Sequence, residues 1–369
     1  MKYLYYTSVP WPYLETRFSS FPHTNESVAR SKLAELYRET IMLFREAEKA
    51  GFDWLGVGEE HMNAYGVVPN PTLFASMLAP ITHRAKLAIL GNPLPLLNPV
   101  RVAEEYAMVD VMSGGRMIAG FPRGVPQNYA AYSIDSTNSR GQLSEAIDLV
   151  RKAWSHAGPF SWQGKHYNFD AISIWPQPLQ SHPEIVLSCK SVESIQLAVK
   201  HRAVMAEIYV RNREVLDSFE RGVGMYRDEA RAHGWEPEPR HFALSVPCVI
   251  AATDREAQER AARALTYQQT RLSGTFDKEK EALADTYYQG ALAVSHQAVE
   301  NLQDRIGFGG IVCGSAATAA QQIDALSRRL DIGVIGLQMH FGDLTASEVL
   351  DSIVLFGAKV RKVAGEARP

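Results

Sequence analysis

The chain has 369 residues, 46% of them hydrophobic and 21% charged, an ordinary globular composition. Lys plus Arg number 38 against 41 Asp plus Glu, so the net charge is −3, and neither a basic nucleic-acid surface nor a charged tail is expected. No apolar run approaches the length of a membrane span.

The opening MKYLYYTSVPWPY is an aromatic run broken by prolines and is unlike a secretory signal. Cys189, Cys248 and Cys313 lie far apart without CxxC spacing. That argues against a zinc site or a disulfide framework, and for a reduced, cytoplasmic setting.

Short apolar runs alternate with amphipathic helical patterns along the whole chain. A strand over 4–9 precedes a helix at about 32–50, and a strand over 54–58 precedes a helix from about 71 to 80. A strand over 86–90 leads to a helix at about 99–112, where Pro99 suits the first turn because its missing N–H would have no partner there. A strand over 116–121 leads to a helix at about 139–154. In the second half, strands over 185–188, 204–210, 242–251 and 333–339 lead to helices at 191–200, about 213–233, 254–270 and 346–363.

Two stretches interrupt this rhythm. Residues 155–183 are rich in aromatics, Pro and Gly and read as an ordered excursion. Residues 271–310 are long for a loop and read as a lid or a dimer element. The eight strands are mostly apolar throughout rather than alternating, which predicts a parallel sheet covered by helices. Their number favours an α/β fold closed into a single (β/α)8 TIM barrel with insertions over an open sheet. No linker or repeat is visible, so residues 1–369 read as one domain.

Polar residues recur where these strands end: Glu59-Glu60-His61 after the second, Asn92 after the third, and Arg123-Gly124 after the fourth. In a parallel barrel all those ends open onto one mouth, where catalytic and phosphate-binding groups are built. The segments AEKAGFDWLGVGEEH, NPVRVAEEYAMVDVMSGGR, GFPRG and CGSAATAAQQI together resemble the bacterial luciferase-like flavin monooxygenases, and the likeness runs over nearly the whole chain.

That resemblance implies a (β/α)8 barrel, often a homodimer, that binds reduced FMN and uses dioxygen to oxygenate a small organic substrate. It further implies a separate NAD(P)H-flavin reductase as the source of reduced flavin. His61 stands at the family's catalytic histidine, and an imidazole suits a place where protons are moved. Asn92 would meet the flavin's polar edge, or simply start a turn before Pro93. Arg123 would grip the phosphate through its planar guanidinium, with Gly124 allowing close approach. Ser191 and Ser194 open a helix whose N–H groups suit a phosphate, and simple capping, which would not exclude it, is the alternative. Met62 replaces a second histidine common in the family, which makes the cavity more apolar. Tyr6, Met62, Phe121 and His340 are the weaker pocket candidates, and the apolar ones suggest an apolar or aromatic substrate.

Other signatures are absent or fail. Glu59-Glu60-His61 lacks helical HExxH spacing, so no metal is expected. Asp110 and Ser113-Gly114-Gly115-Arg116 read as a structural turn rather than a phosphate loop. GFGGIVCG (307–314) carries Val312 where a dinucleotide fingerprint needs glycine. The rivals are a deazaflavin-dependent dehydrogenase or reductase on the same barrel, and a non-catalytic flavin-binding subunit.

Overall fold

A computed structural model describes residues 1–17, 21–26, 28–272 and 301–361. The first half runs β1 (Lys2–Thr7), α1 (Arg30–Ala50), β2 (Trp54–Gly58), α2 (Pro71–Leu78), β3 (Lys86–Leu90), α3 (Pro99–Ser113), β4 (Met117–Gly120), α4 (Pro126–Tyr132) and α5 (Ser139–Ser155). An antiparallel pair, β5 (Phe160–Gln163) and β6 (Asn168–Ile172), follows. Next come β7 (Glu184–Ser188), α6 (Val192–Lys200), β8 (Val204–Glu207), α7 (Arg213–Ala232), β9 (Phe242–Ala251) and α8 (Asp254–Tyr267). The chain closes with α9 (Leu302–Phe308), β10 (Val312–Ser315), α10 (Ala316–Leu330), β11 (Val334–Gln338) and α11 (Ala346–Leu355).

Eight strands close a parallel barrel in the order β1-β2-β3-β4-β7-β8-β9-β11 and back to β1. They are the eight strands expected from the apolar runs. Side chains alternate between two environments, as a pleated strand requires. One set, including Leu4, Tyr6, Trp54, Ala88, Ile118, Val186 and Val334, fills the barrel. The other, including Tyr5, Ile89, Met117 and Leu337, packs against the helices. Tyr5, for example, meets Phe44 of α1 edge-on at 5.0 Å.

The departures lie between barrel units. The excursion at 155–183 is built on the β5–β6 hairpin, held to α5 by Glu145, which accepts the Trp162 indole N–H at 3.1 Å and the His166 and Tyr167 backbone N–H groups at 2.9 and 3.0 Å. Besides the strands of this hairpin, four described elements were not expected: α4, α9, β10 and α10. Strand β10 is the IVCGS segment, paired with Cys248–Ala251 where β9 runs on past the barrel. Gly309 in the same glycine-rich run ends α9. Of the stretch 271–310, residues 273–300 lie outside the described residues, as do the last two residues of the helix expected at 346–363. No described helix is long and apolar enough to cross a membrane.

Candidate active site

The carboxyl end of β2 carries the densest polar network at the mouth. His61 is 6% exposed. Its Nε2 lies 2.7 Å from Glu59 Oε1, and its Nδ1 lies 3.3 Å from the Tyr132 hydroxyl of α4, whose ring packs edge-on against the imidazole at 4.9 Å. The other Glu59 oxygen accepts the Asn92 backbone N–H at 2.7 Å, tying the end of β2 to the end of β3. Asn92 is buried, holds the left-handed conformation (φ 59°), and donates Nδ2 to Thr72 Oγ1 on α2 at 2.7 Å. Asn tolerates that conformation better than most side chains.

Glu60 turns the other way. Burial raises its carboxyl to about 7, against a lowering by the hydrogen bond from the Asn63 amide. The Tyr6 hydroxyl stands over Gly58, where an added Cβ would lie 2.4 Å from it, so the end of β2 has room for the phenol only because position 58 is glycine. Beside β1 and β11, Ser8, Tyr65, Gln268, Leu272, Gln338 and Phe341 lie close together and leave little free space between them. His340 next to it is 3% exposed, and burial lowers its pKa to about 4, so it is neutral near pH 7.

The phosphate candidates lie on the next two strands. Gly120 of β4 is in register with Val186 of β7, so the loops leaving these strands emerge side by side. In the first loop, Tyr129 donates to the Arg123 carbonyl, the Val125 N–H reaches Asn128 Oδ1 at 3.4 Å, and Gly124 takes φ 94°, which a side chain would strain. In the second, Ser191 and Ser194 cap α6 reciprocally. Ser191 Oγ accepts the Ser194 N–H at 3.3 Å, and Ser194 Oγ accepts the N–H groups of Ser191 and Lys190 at 2.9 and 3.1 Å. The capping reading of this motif is therefore present in full. An anion already sits at this helix start. The exposed Glu193 carboxylate is held below its usual range by its own backbone N–H and the Ser191 hydroxyl, and it pairs with Arg140 at 2.6 Å.

One weaker candidate, Phe121, is placed elsewhere than expected. Phe121 does not line the mouth. It is 1% exposed and clusters with Tyr106 of α3 and Trp154 of α5, with centroids 5.4 and 6.2 Å away, because position 121 faces the helix layer. Met62, next to His61, is 51% exposed on a left-handed backbone (φ 54°). Asp110 and Ser113–Arg116 form the structural turn into β4, at the barrel end opposite the mouth. The Arg116 guanidinium holds the carbonyls of Ser113, Ala79, Thr82 and Ala85.

Sequence reasoning missed Glu59 as more than a neighbour, along with Tyr132, Thr72 and Arg140. Glu59 had a usable signal, because residues two apart in an extended segment share a side. Tyr132 had none, since it reaches His61 across 71 residues of sequence. Among the described residues no cluster of His, Cys, Asp and Glu could hold a metal ion.

Residues 15–331 match the luciferase-like monooxygenase family. The chain belongs to that family. It is 29% identical over 195 residues to the oxygenase component of the flavin-dependent trigonelline monooxygenase of Acinetobacter baylyi, covering 50% of this chain and 52% of the relative. It is 25% identical over 227 residues to the alkanal monooxygenase alpha chain of Photorhabdus luminescens, covering 61% and 62%. The matched segments thus span about half to three-fifths of these relatives' lengths. Among solved structures, the monooxygenase RslO1 of Streptomyces bottropensis superposes with a TM-score of 0.76 at 22% identity, covering 99% of this chain and 100% of that one. The oxygenating constituent of 3,6-diketocamphane monooxygenase of Pseudomonas putida, in complex with FMN, gives 0.72 at 20%, covering 94% and 97%. The coenzyme F420-dependent tetrahydromethanopterin reductase of Methanopyrus kandleri gives 0.65 at 16%, covering 89% and 95%.

Proposed function

We propose that this luciferase-like monooxygenase binds reduced FMN at the strand-end face and uses dioxygen to oxygenate a small organic substrate. One observation carries the reading: His61, Asn92, Arg123 and Ser191 follow the ends of four consecutive barrel strands, β2, β3, β4 and β7. A proton-handling group and an anion-binding group therefore flank one stretch of the mouth, as a ring joined to a phosphate requires. The donor set fits a phosphate: a guanidinium, two hydroxyls and a helix start already holding a carboxylate. Arg123, Gly124, Ser191, Ser194 and Arg140 would hold it once Glu193 swings aside. The reduced ring would supply the electrons that activate dioxygen.

Around the ring, Asn92 shapes the turn beneath it through Glu59 and Thr72, and His61 moves protons. Tyr6 and Tyr65 offer aromatic faces beside the polar Glu60 and Gln338, so the substrate meets a mixed wall rather than a purely apolar one. A separate reductase as the source of reduced flavin, suggested by the relative's description as an oxygenase component, belongs to this proposal. So does a homodimer. Helices α2 and α3 pack together, and Leu73 and Met77 on the first and Met108 and Met112 on the second are all 40–64% exposed, which suits an interface.

Titration of the purified protein with reduced FMN without oxygen, followed by air, tests the reading. Tight binding, then reoxidation slower than that of free reduced FMN, is expected. No binding, or reoxidation as fast as free flavin, refutes it, and binding of coenzyme F420 instead would favour the deazaflavin enzyme. The F420-dependent reductase on the same barrel makes that the second reading.

A further inference from the structure

We propose that Glu59 is a positioning residue that fixes the tautomer of His61, keeping the proton on Nε2 and leaving Nδ1 as the nitrogen available to the reaction. What Nδ1 then does rests on the oxygenase reading; the tautomer does not. An ionised carboxylate only accepts hydrogen bonds. With Glu59 ionised, Nε2 at 2.7 Å from its Oε1 carries the hydrogen. The two side chains are 5% and 6% exposed, so water does not compete for the contact. Neutral imidazole then has its lone pair on Nδ1, facing the Tyr132 hydroxyl at 3.3 Å, which can donate to it.

The second carboxylate oxygen makes the assignment testable. It accepts the Asn92 backbone N–H at 2.7 Å, a donor that cannot be reversed. Glu59→Gln has nearly the same shape but only one oxygen. That oxygen must stay with Asn92, so the amide NH2 faces His61. Nε2 then has to accept, and the proton moves to Nδ1. The variant keeps the geometry and inverts the tautomer. In a buried Asp–His pair of the serine-protease type, the same acid-to-amide exchange lowers turnover by ~10⁴.

The test uses the full-length protein labelled with ¹⁵N-histidine, with His61 assigned by loss of its signals in His61→Asn. Long-range ¹H–¹⁵N spectra are expected to show Nε2–H in the wild type and Nδ1–H in Glu59→Gln. Oxidation of reduced FMN by dioxygen should change at least ~10-fold in that variant while FMN affinity stays within about threefold. An Nδ1–H tautomer in the wild type overturns the proposal, as does retention of Nε2–H in the variant. An inverted tautomer with unchanged turnover also overturns it. If Glu59→Gln fails to fold, the wild-type spectrum decides alone. Absence of FMN binding to the wild type refutes the oxygenase reading instead and leaves the tautomer assignment standing.

Discussion

Replacing Arg116 by Met should destabilise the fold and leave flavin binding intact, although SGGR resembles a phosphate loop. The guanidinium donates Nε to the Ser113 carbonyl at 2.7 Å, Nη1 to Thr82 Oγ1 and the Ala85 carbonyl at 3.0 and 2.7 Å, and Nη2 to the carbonyls of Ala79 and Thr82 at 3.0 and 2.8 Å. These partners come from the end of α3 and from the chain joining α2 to β3, so one side chain locks three segments beneath the barrel. Hydrogen bonds to charged groups contribute roughly 1.5–3 kcal/mol each. The side chain is only partly buried, and the freed carbonyls regain some water, so the sum is far from additive. A total near ~3–5 kcal/mol is expected, the range of a broken polar network. At roughly 2 °C per kcal/mol, the thermal midpoint should fall by ~6–10 °C. Lysine should recover only part of the loss, because an ammonium cannot reproduce a planar five-donor fork. The assay pairs thermal unfolding with FMN titration for wild type, Met and Lys variants. An unchanged midpoint with FMN affinity lost tenfold or more would refute the structural reading of the motif.

Arg123→Ala should weaken FMN binding ~10–100-fold, the loss of a charge-assisted phosphate contact, with riboflavin affinity nearly unaffected; equal losses for both flavins would count against a phosphate role. Phe121→Ala should cost ~3–5 kcal/mol, because it leaves a cavity in the ring cluster with Tyr106 and Trp154; a stable variant with altered substrate choice would return Phe121 to the pocket. Burial raises the Glu60 carboxyl from 4.5 to about 7, so the folded chain keeps a proton there that the unfolded chain has released. Stability should therefore fall as pH rises through that window, by at most ~3 kcal/mol, and Glu60→Gln should flatten the dependence in thermal midpoints taken across pH. Met112→Glu, placed in the exposed α2–α3 patch, should turn a dimer into a monomer in sedimentation; a monomeric wild type would remove the patch as an interface.

The barrel was legible because its signals are local and repeated. Each strand is a short apolar run, and helix starts such as Pro99 behind its Asn98 cap carry their own markers. Elements outside that repeat were not legible. Helix α10 begins at a Ser315 cap that bonds the Thr318 N–H and buries Ile323, Leu326 and Leu330, yet its first turns present only alanines to the core, which hid its start. Strand β10 was hidden because its glycines invited comparison with a nucleotide motif. Candidate site positions followed from strand ends, which the repeat fixes. Side-chain direction did not follow, as Phe121 shows: one position past the end of β4, the chain still alternates faces, and its ring belongs to the helix layer.

Glu59 and Asn92 account for each other in a way neither does alone. A buried carboxylate against a histidine carries a desolvation cost of several kcal/mol unless its oxygens are filled. The imidazole fills one oxygen, and a backbone N–H must fill the other. That N–H points at Glu59 because residue 92 adopts the left-handed conformation, a strained choice for most side chains that Asn tolerates. Its amide then anchors the turn to Thr72. The end of β3 thus serves the end of β2, holding in place the carboxylate that orients His61. Asn92→Ala should consequently disturb His61 before it disturbs the phosphate end of the mouth. The His61 ¹⁵N spectrum should broaden or shift while affinity for inorganic phosphate stays unchanged. A silent His61 spectrum in that variant would break the link between the two strand ends.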